Sequence, residues 1–285
     1  MTIGNQFNAA GVKNNLNKTT NQIWKTSRNI ASGSRINRAA ADAAGLAIAM
    51  KMQSQIGGQG QAIRNVADGM SLLQIAEGAL GSTHTMLGRM EMLSLQAANG
   101  TLNDTQRGFI QMEIDQIKSE INRVSSSTNF NGINLLDGSL SQKNGGLKLQ
   151  IGESADQRLD VNIDAMGSAA LRVAGLDVRT QGNALNAIND TGRAINMVSE
   201  QRVALGAMQN RLEHTSSNLV NTSYNLTAAK SRIADADMAA KIIALTTNNI
   251  KQQASIAMLA HKIKEPQGMW QLLGKSGSPA MNFKV

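Results

Sequence analysis

Histidine is the side chain here best suited to acid–base or metal chemistry, because its imidazole titrates near neutral pH and binds zinc. The chain has three, His84, His214 and His261, on separate predicted helices, without HExxH spacing or a neighbouring carboxylate triad. It has no cysteine, hence no thiolate ligand, redox centre or disulfide. We therefore predict no enzyme activity, no metal site and no cofactor.

Apolar residues at seven-residue spacing run through both ends of the chain instead. The first series contains Leu16, Ile23 and Ile30. The second contains Val198, Leu205, Leu212, Leu219, Leu226 and Ile233, and after a break Ile243, Ile250 and Ala257. A helix that buries one stripe every 3.5 residues needs a partner. The two ends are therefore predicted to pair as an α-helical coiled coil.

The chain between these ends is predicted to form two helices and a small β insert. Apolar steps of three and four predict a long helix from about 46 to 99. Asn103 with Gln106 predicts a capped start for the next helix, which ends at 125–128. Alternation at 147–151 and 159–163 predicts a β-hairpin.

Breaks in the pattern give the predicted domain organisation. Asn131-Gly132 marks a turn, helix returns after Thr180, a hinge spans 234–240, and Pro266 is expected to end the last helix. The fold class is mostly α, an elongated coiled coil and helical bundle built from paired N- and C-terminal segments. Residues 1–44 are predicted to form the N-terminal half of a terminal coiled-coil domain and a linker. Residues 45–235 are predicted to form an inner helical bundle with the β insert at 133–178. Residues 236–285 are predicted to form the C-terminal half of the coiled-coil domain and a tail, 275–285.

Composition argues against two classes of partner. The formal charge of +8 comes from Lys and Arg that look scattered along the sequence, and seven aromatic residues offer little base stacking, so no nucleic acid is expected. No run of eighteen apolar residues exists, which predicts no membrane insertion. The first twenty residues lack the apolar stretch of a secretory signal, so any export is expected to use another route.

Six sequence blocks in this order resemble bacterial flagellin. They are SGSRINRAAADAAGLAIAMKM (32–52), DGMSLLQIAEGAL (68–80), LSLQAANGT (93–101), INRVSSSTNFNGINLLDG (121–138), NLTAAKSRIADADMA (225–239) and QASIAMLA (253–260). Only about forty residues separate the helices at the hairpin, so the large variable outer domain of many flagellins is expected to be missing. The chain also continues past the motif PQGMWQLL (266–273), where flagellins generally stop.

The resemblance implies a structural subunit that self-assembles into a helical filament for motility. It implies export by the flagellar type III apparatus and an extracellular location in the bacterial flagellum. The implied partners are other copies of the chain, an export chaperone, the filament cap and hook-junction proteins. Because unpaired amphipathic helices are marginal in water, the ends are expected to become ordered as they polymerise.

The resemblance also suggests functional residues. Polymerisation through the terminal coiled coil is assigned to Leu16, Ile23, Ile30, Ile243, Ile250, Leu259, Leu272 and Leu273. Contact with the vertebrate Toll-like receptor for flagellin is assigned to Arg89, Leu93 and Glu113, which match positions that many flagellins use for it. Leu272 and Leu273 also match a leucine pair sensed by cytosolic immune receptors.

Two alternative functions remain at this point. A hook–filament junction protein shares the terminal motifs and export route but is expected to polymerise poorly alone. A basic coiled-coil nucleic-acid-binding protein is expected to retain DNA in a salt-sensitive way.

Overall fold

The computed structural model describes the backbone of residues 2–274 and the side chains of residues 10–261. The side chains of Leu272 and Leu273 and the tail 275–285 lie outside this range. Within it are helices α1 Thr2–Ser32, α2 Ala43–Ala98, α3 Asp104–Ser127, α4 Gln181–Ala234 and α5 Met238–Gly274. The strands are β1 Asn129–Phe130, β2 Ile133–Asn134, β3 Leu147–Gln150 and β4 Arg158–Val161. The predicted mostly α fold with a small β-hairpin insert is confirmed.

The start of α3 follows directly from its sequence. The Asn103 side-chain oxygen accepts a hydrogen bond from the Gln106 backbone N–H at 2.8 Å, and the Gln106 side-chain oxygen accepts one from the Asn103 N–H at 3.0 Å. This reciprocal pair is a capping box, which satisfies two donors that the first helical turn leaves free. The predicted cap is confirmed.

The insert between α3 and α4 contains two antiparallel hairpins. Strands β3 and β4 pair with Leu147 opposite Val161 and Leu149 opposite Leu159, as the alternation predicted. Strands β1 and β2 form a second, very short hairpin around Asn131-Gly132, where the sequence predicted only a turn. The prediction missed it because two residues per strand are too few for an alternating pattern.

The chain divides into two compact units, one of which spans Ser54–Leu226 and is called the central unit here. Its core is continuous and apolar, and α2, α3, α4 and the insert all contribute to it. Fully buried members include Leu73, Leu80, Leu87, Ile114, Ile121, Leu135, Leu136, Leu171, Leu205 and Leu212. Those of the set that lie on helices recur in steps of seven, as the sequence predicted for a bundle.

A close backbone approach joins the insert to α2 in the central unit. A Cβ atom on Gly69 of α2 would lie 2.3 Å from Cδ2 of Leu149 on β3. Leu149 is 9% exposed and belongs to the core. Glycine at this position therefore lets the hairpin lie directly on the helix.

The other unit, called the terminal unit, contains residues up to 53 and from 227 onward. Helices α1 and α5 pack along each other, with facing Cα atoms within 8 Å. The domain boundaries expected at 44/45 and 235/236 remain a prediction.

The two helix breaks of the terminal unit are joined by main-chain hydrogen bonds. Ser34 and Asp235 form an isolated antiparallel bridge. The Arg35 N–H donates to the Ala234 carbonyl at 2.7 Å, and the Ala236 N–H donates to the Gly33 carbonyl at 2.9 Å. The Arg35 side chain donates to the Ile233 carbonyl at 2.6 Å. These bonds satisfy carbonyls at the end of α4, so the breaks predicted at 33–45 and 234–240 act together.

One predicted boundary is wrong. Helix α5 continues through Pro266 to Gly274, although proline was expected to end it. Proline removes only one intrahelical hydrogen bond, and a helix of 37 residues keeps the bonds on either side. Among the described residues, every helix falls short of the apolar length that a bilayer crossing needs.

Candidate assembly surfaces

The contact between α1 and α5 is only half apolar. On α1 the residues of reduced exposure include a series in steps of three and four: Val12, Leu16, Thr19, Ile23, Thr26 and Ile30. On α5 they include Lys241, Leu245, Asn248, Gln252, Ser255 and Leu259. The Gln252 side-chain amide donates to the Thr20 hydroxyl at 3.2 Å across the contact. Polar side chains thus occupy positions that a stable coiled coil fills with leucine or isoleucine.

The structure separates the residues predicted for terminal pairing into two groups. Leu16, Ile23 and Ile30 are half-buried on the face of α1 that meets α5, and Leu259 is half-buried on α5. The other two, Ile243 and Ile250, are 67% and 62% exposed.

The exposed pair lies on the side of α5 that faces away from α1. Ile243 and Ile250 fall about half a helical turn from the half-buried Leu245, Asn248 and Gln252, given 100° per residue. Three further apolar residues of α5, Ile242, Ile256 and Met258, are more than half exposed. We call Ile243, Ile250 and Ala257 the outer stripe of α5. It offers apolar surface that α1 does not cover.

Charge is concentrated in the terminal unit rather than scattered, which corrects the impression from the sequence. Residues up to 53 and from 227 onward contain 15 Lys and Arg against 4 Asp and Glu. The central unit contains 13 against 16. Helix α1 has no acidic residue, and its Lys13, Lys18, Lys25 and Arg28 form no ion pair among the described residues. The terminal unit therefore accounts for the positive charge of the whole chain.

A second exposed surface lies on α2 and α3 in the central unit. Arg89 and Glu113, two of the three predicted receptor contacts, form an ion pair with 2.6 Å between Nη2 and Oε1. Both side chains are about half exposed. The third, Leu93, is 2% exposed and belongs to the apolar core. The structure thus brings the charged pair together at the surface and places Leu93 beneath it.

Two exposed apolar side chains lie on one side of the Arg89–Glu113 pair. Met92 is one helical turn after Arg89 and 58% exposed, and Phe109 is one turn before Glu113 and 66% exposed. Since α2 and α3 run antiparallel, both lie on the side of the pair nearer the α2–α3 turn. Neither Met92 nor Phe109 was predicted from the sequence, although apolar residues displaced from the core stripe of a helix indicate such a surface.

Buried polar side chains hold this surface in place. Arg107 of α3 is 7% exposed and donates to the carbonyls of Ala97 and Asn99 at 3.0 and 3.1 Å. The Ala97 carbonyl lies in the last turn of α2, where the helix itself supplies no donor. The Asn99 carbonyl lies just after the helix and also accepts from the Leu102 N–H at 3.3 Å. Gln111 accepts from the Val178 N–H at 2.8 Å, which ties α3 to the chain before α4. Neither Arg107 nor Gln111 was identified from the sequence. In a sequence pattern, a buried polar residue cannot be distinguished from a polar residue on the surface.

The histidines do not come together. Among the described residues no three His, Cys, Asp or Glu side chains form a group that could hold a metal ion. His214 lines an open groove of the central unit with Gln157, Thr215 and Asn218.

Known proteins similar to this chain match it over most of its length. The bacterial flagellin N-terminal helical region matches residues 3–141, and the bacterial flagellin C-terminal helical region matches residues 188–273. The flagellins of Halalkalibacterium halodurans and Bacillus subtilis are each 42% identical to this chain, covering 96% of it and 100% of the relative. In fold alone, it is similar to a putative flagellar hook-associated protein from Vibrio parahaemolyticus, with a TM-score of 0.53 and 16% identity over 65% of this chain and 95% of that one.

Proposed function

This chain belongs to the bacterial flagellin family and is a structural subunit of the bacterial flagellar filament, and we propose that it polymerises through the outer stripe of α5. The observation that supports this is the exposure of Ile243 and Ile250 on a helix whose other face is already occupied by α1. A stripe that one copy of the chain leaves uncovered is available to a second copy.

The form of the polymer follows from the asymmetry of the terminal unit. Its α5 side exposes the apolar outer stripe, whereas its α1 side carries Lys18, Lys25 and Arg28, which form no ion pair within the described part of the chain. Two copies that meet through unlike surfaces make a heterologous contact, which continues as a helix when its rotation does not close a ring. The expected product is an open helical filament.

Electron microscopy of purified protein seeded with filament fragments tests this proposal. Wild-type protein should extend the seeds into long tubes. Ile250→Asp should abolish growth, because it places a charge in the stripe, whereas Asn249→Asp adds the same charge one residue away and should still grow. Growth of the Ile250→Asp variant would contradict the proposal, and a wild type that never grows would favour a hook–filament junction protein.

Pairing of the chain ends is tested by a second substitution. Leu16→Asp should also block polymerisation, since Leu16 lies in the α1–α5 contact. The central unit should remain helical by circular dichroism, because its core does not include this residue. Normal filament growth by Leu16→Asp would show that α1–α5 pairing is dispensable.

The wider setting of this function is proposed from the family. We expect export by the flagellar type III apparatus, an extracellular filament that serves motility, and no catalytic activity. The expected partners besides other copies are the export chaperone, the filament cap and the hook-junction proteins. The nucleic-acid alternative is tested by a gel-shift titration over a salt series, in which retained DNA would support it and none would exclude it.

Recognition of the released monomer by the vertebrate Toll-like receptor for flagellin is a second proposed function. The Arg89–Glu113 pair and the exposed Met92 and Phe109 form a mixed charged and apolar surface of the kind that protein partners bind. Arg89 and Glu113 would contact the receptor directly. Leu93 would act by holding α2 in place, since it is buried.

A receptor reporter assay with purified monomer tests this surface. Arg89→Ala and Glu113→Ala should each weaken the response, whereas Arg123→Ala, which breaks an exposed Arg–Glu pair elsewhere on α3, should not. A variant that exchanges the two charges, Arg89→Glu with Glu113→Arg, separates contact from pairing. It restores the ion pair, so a normal response would contradict direct contact.

A further inference from the structure

The chain contains three Asn–Gly pairs, all in turns of the central unit: Asn99-Gly100, Asn131-Gly132 and Asn144-Gly145. An asparagine followed by glycine can lose its side-chain amide, because glycine has no side chain to hinder attack by its own backbone nitrogen. All three asparagines are exposed, so exposure does not distinguish them. Their hydrogen bonds do.

Two of the asparagine side chains are held in place. The Asn99 side-chain oxygen accepts a hydrogen bond from the Thr101 N–H at 3.2 Å. The Asn144 side-chain amide donates to the Gly138 carbonyl at 2.9 Å, and the Gly145 N–H donates to the Gln142 carbonyl at 3.3 Å. Each asparagine must first be released from this restraint: at Asn144 the bonds hold the leaving amide and the attacking nitrogen, and at Asn99 the bond to Oδ1 fixes the side-chain rotamer.

Asn131 is free of such restraint. Its side chain forms no hydrogen bond with the described part of the protein, and the Gly132 N–H donates to no carbonyl there. The two residues form the loop between β1 and β2, with φ of 51° at Asn131 and 79° at Gly132. Apart from its two chain neighbours, no described residue has an atom within 4 Å of the position that a Cβ on Gly132 would take, so water can reach the turn. Because β1 and β2 have two residues each, the hairpin can open to the geometry that attack requires.

We propose that Asn131 is a site of spontaneous deamidation in this protein. The Gly132 nitrogen, after losing its proton to water or hydroxide, bonds to Cγ of Asn131. The bond between Cγ and Nδ2 breaks, and ammonia leaves after taking up a proton, which produces a cyclic succinimide. Water then opens the ring at either carbonyl and gives aspartate or isoaspartate, with no oxidant or reductant involved.

The structural effect follows from the position of the turn. Isoaspartate adds one carbon to the backbone of a two-residue loop, which displaces the register of Phe130 opposite Ile133. Either product also places a new carboxylate on the shallow groove that Asn131 shares with Asp68 and Lys148. Deamidation should therefore loosen the β1–β2 hairpin while leaving the helices intact.

Peptide mapping by mass spectrometry tests the proposal on the full-length folded monomer. Protein is incubated at mildly alkaline pH, and the conversion of amide to acid at Asn99, Asn131 and Asn144 is followed over time. Asn131 should convert roughly fivefold faster than either of the others, which is the factor expected from one net hydrogen bond that they must break. Methylation by protein isoaspartate methyltransferase should label the same peptide.

Two controls make the outcome decisive. In concentrated urea the three rates should converge, because the folded turn no longer distinguishes them. Asn131→Gln should remove the fast reaction without changing the rates at Asn99 and Asn144, since glutamine cyclises more slowly. An Asn131 rate equal to or below that of Asn99 in the folded chain would overturn the proposal and show that the hairpin protects its turn.

Discussion

The terminal unit and the central unit use helices in opposite ways. Helices α2, α3 and α4 surround an apolar core in which Leu80, Leu87 and Leu205 have no exposed surface. Helices α1 and α5 meet through a contact that includes Thr19, Asn248 and Gln252, and they leave other apolar residues exposed. Burial of apolar surface is the main source of stability, so the central unit is the stable part of a single copy.

This difference shows how one chain can be both a folded monomer and a polymer subunit. A terminal pair with a fully apolar contact would be complete by itself and would gain less from a neighbour. A contact with Asn248 and Gln252 at core positions stays weak, and the outer stripe of α5 remains available. Charge follows the same division. We expect the α1 cations, which form no ion pair with any described residue, to oppose association until they are screened or neutralised.

Truncation of a core side chain should produce the largest difference between the units. Leu80→Ala is expected to cost about 2–5 kcal/mol, because it leaves a cavity among fully buried side chains. Leu245→Ala, at the half-buried α1–α5 contact, should cost about 1 kcal/mol or less. Urea unfolding of the monomer followed by circular dichroism measures both, and equal costs would show that the terminal contact is as well packed as the core.

Removal of a buried cation should have the next largest effect. Arg107→Ala removes the donor to the Ala97 carbonyl and leaves the Asn99 carbonyl with only the Leu102 N–H, at an expected cost of about 2–3 kcal/mol. Arg123→Ala is the matched exposed control, since Arg123 pairs only with Glu120 of its own helix. The hydrogen bond from Arg123 lowers the pKa of Glu120 at this exposed site, but the loss of a surface pair should cost less than about 1 kcal/mol. Similar unfolding free energies for both variants would mean that the end of α2 is satisfied without Arg107.

Glycine substitution distinguishes packed from open helix faces within α2. Gly69→Ala should cost about 1–3 kcal/mol, because the added Cβ meets Leu149. Gly78→Ala, whose Cβ would have no neighbour within 4 Å, should instead stabilise by about 0.5–1 kcal/mol. Thermal unfolding shows whether each substitution raises or lowers the stability, and stabilisation by Gly69→Ala would show that the Leu149 side chain or the whole hairpin can move away from α2.

Neutralisation of cations on α1 should have the smallest effect on a single copy. Lys18 and Lys25 are about 10 Å apart along the helix, roughly one Debye length at 0.1 M salt. Lys18→Gln with Lys25→Gln should raise monomer stability by only a few tenths of a kcal/mol. It should also reduce the salt concentration needed for seeded growth, whereas Lys143→Gln with Lys148→Gln in the central unit should not. Growth curves over a sodium chloride series measure this salt requirement. An unchanged requirement would show that the charges of Lys18 and Lys25 do not affect assembly.

Much of the central unit could be predicted from the sequence because its signals are local. The capping box at Asn103 depends on residues three apart, and the β3–β4 hairpin on alternation within two short segments. The heptad series through Leu205 and Leu212 was sufficient to predict the buried face of α4, because the partners that bury these residues lie in the same chain.

The terminal unit was harder to predict for a physical reason. The apolar residues Ile243 and Ile250 suggested the contact face of α5, but the face that meets α1 is rich in Asn, Gln and Ser. Hydrophobic spacing identifies which residues avoid water, and it does not say whether their partner is in the same chain. The concentration of positive charge in the terminal unit was also hard to predict. Its cations, such as Arg28 and Lys230, are about 200 residues apart in sequence and belong to one unit only in the folded chain.

The bridge between Ser34 and Asp235 has a consequence for the order of folding. It closes a loop of about 200 residues, whereas the β3–β4 hairpin joins residues as few as 8 apart. Loop-closure entropy grows as the logarithm of loop length, so the bridge costs about 3 kcal/mol more to close than the hairpin does. Contacts of such high order form after local ones. A chain that is released from its N-terminus onward cannot form this bridge until residue 235 of 285 is free. We therefore expect the pairing of α1 with α5 to be among the final steps of folding.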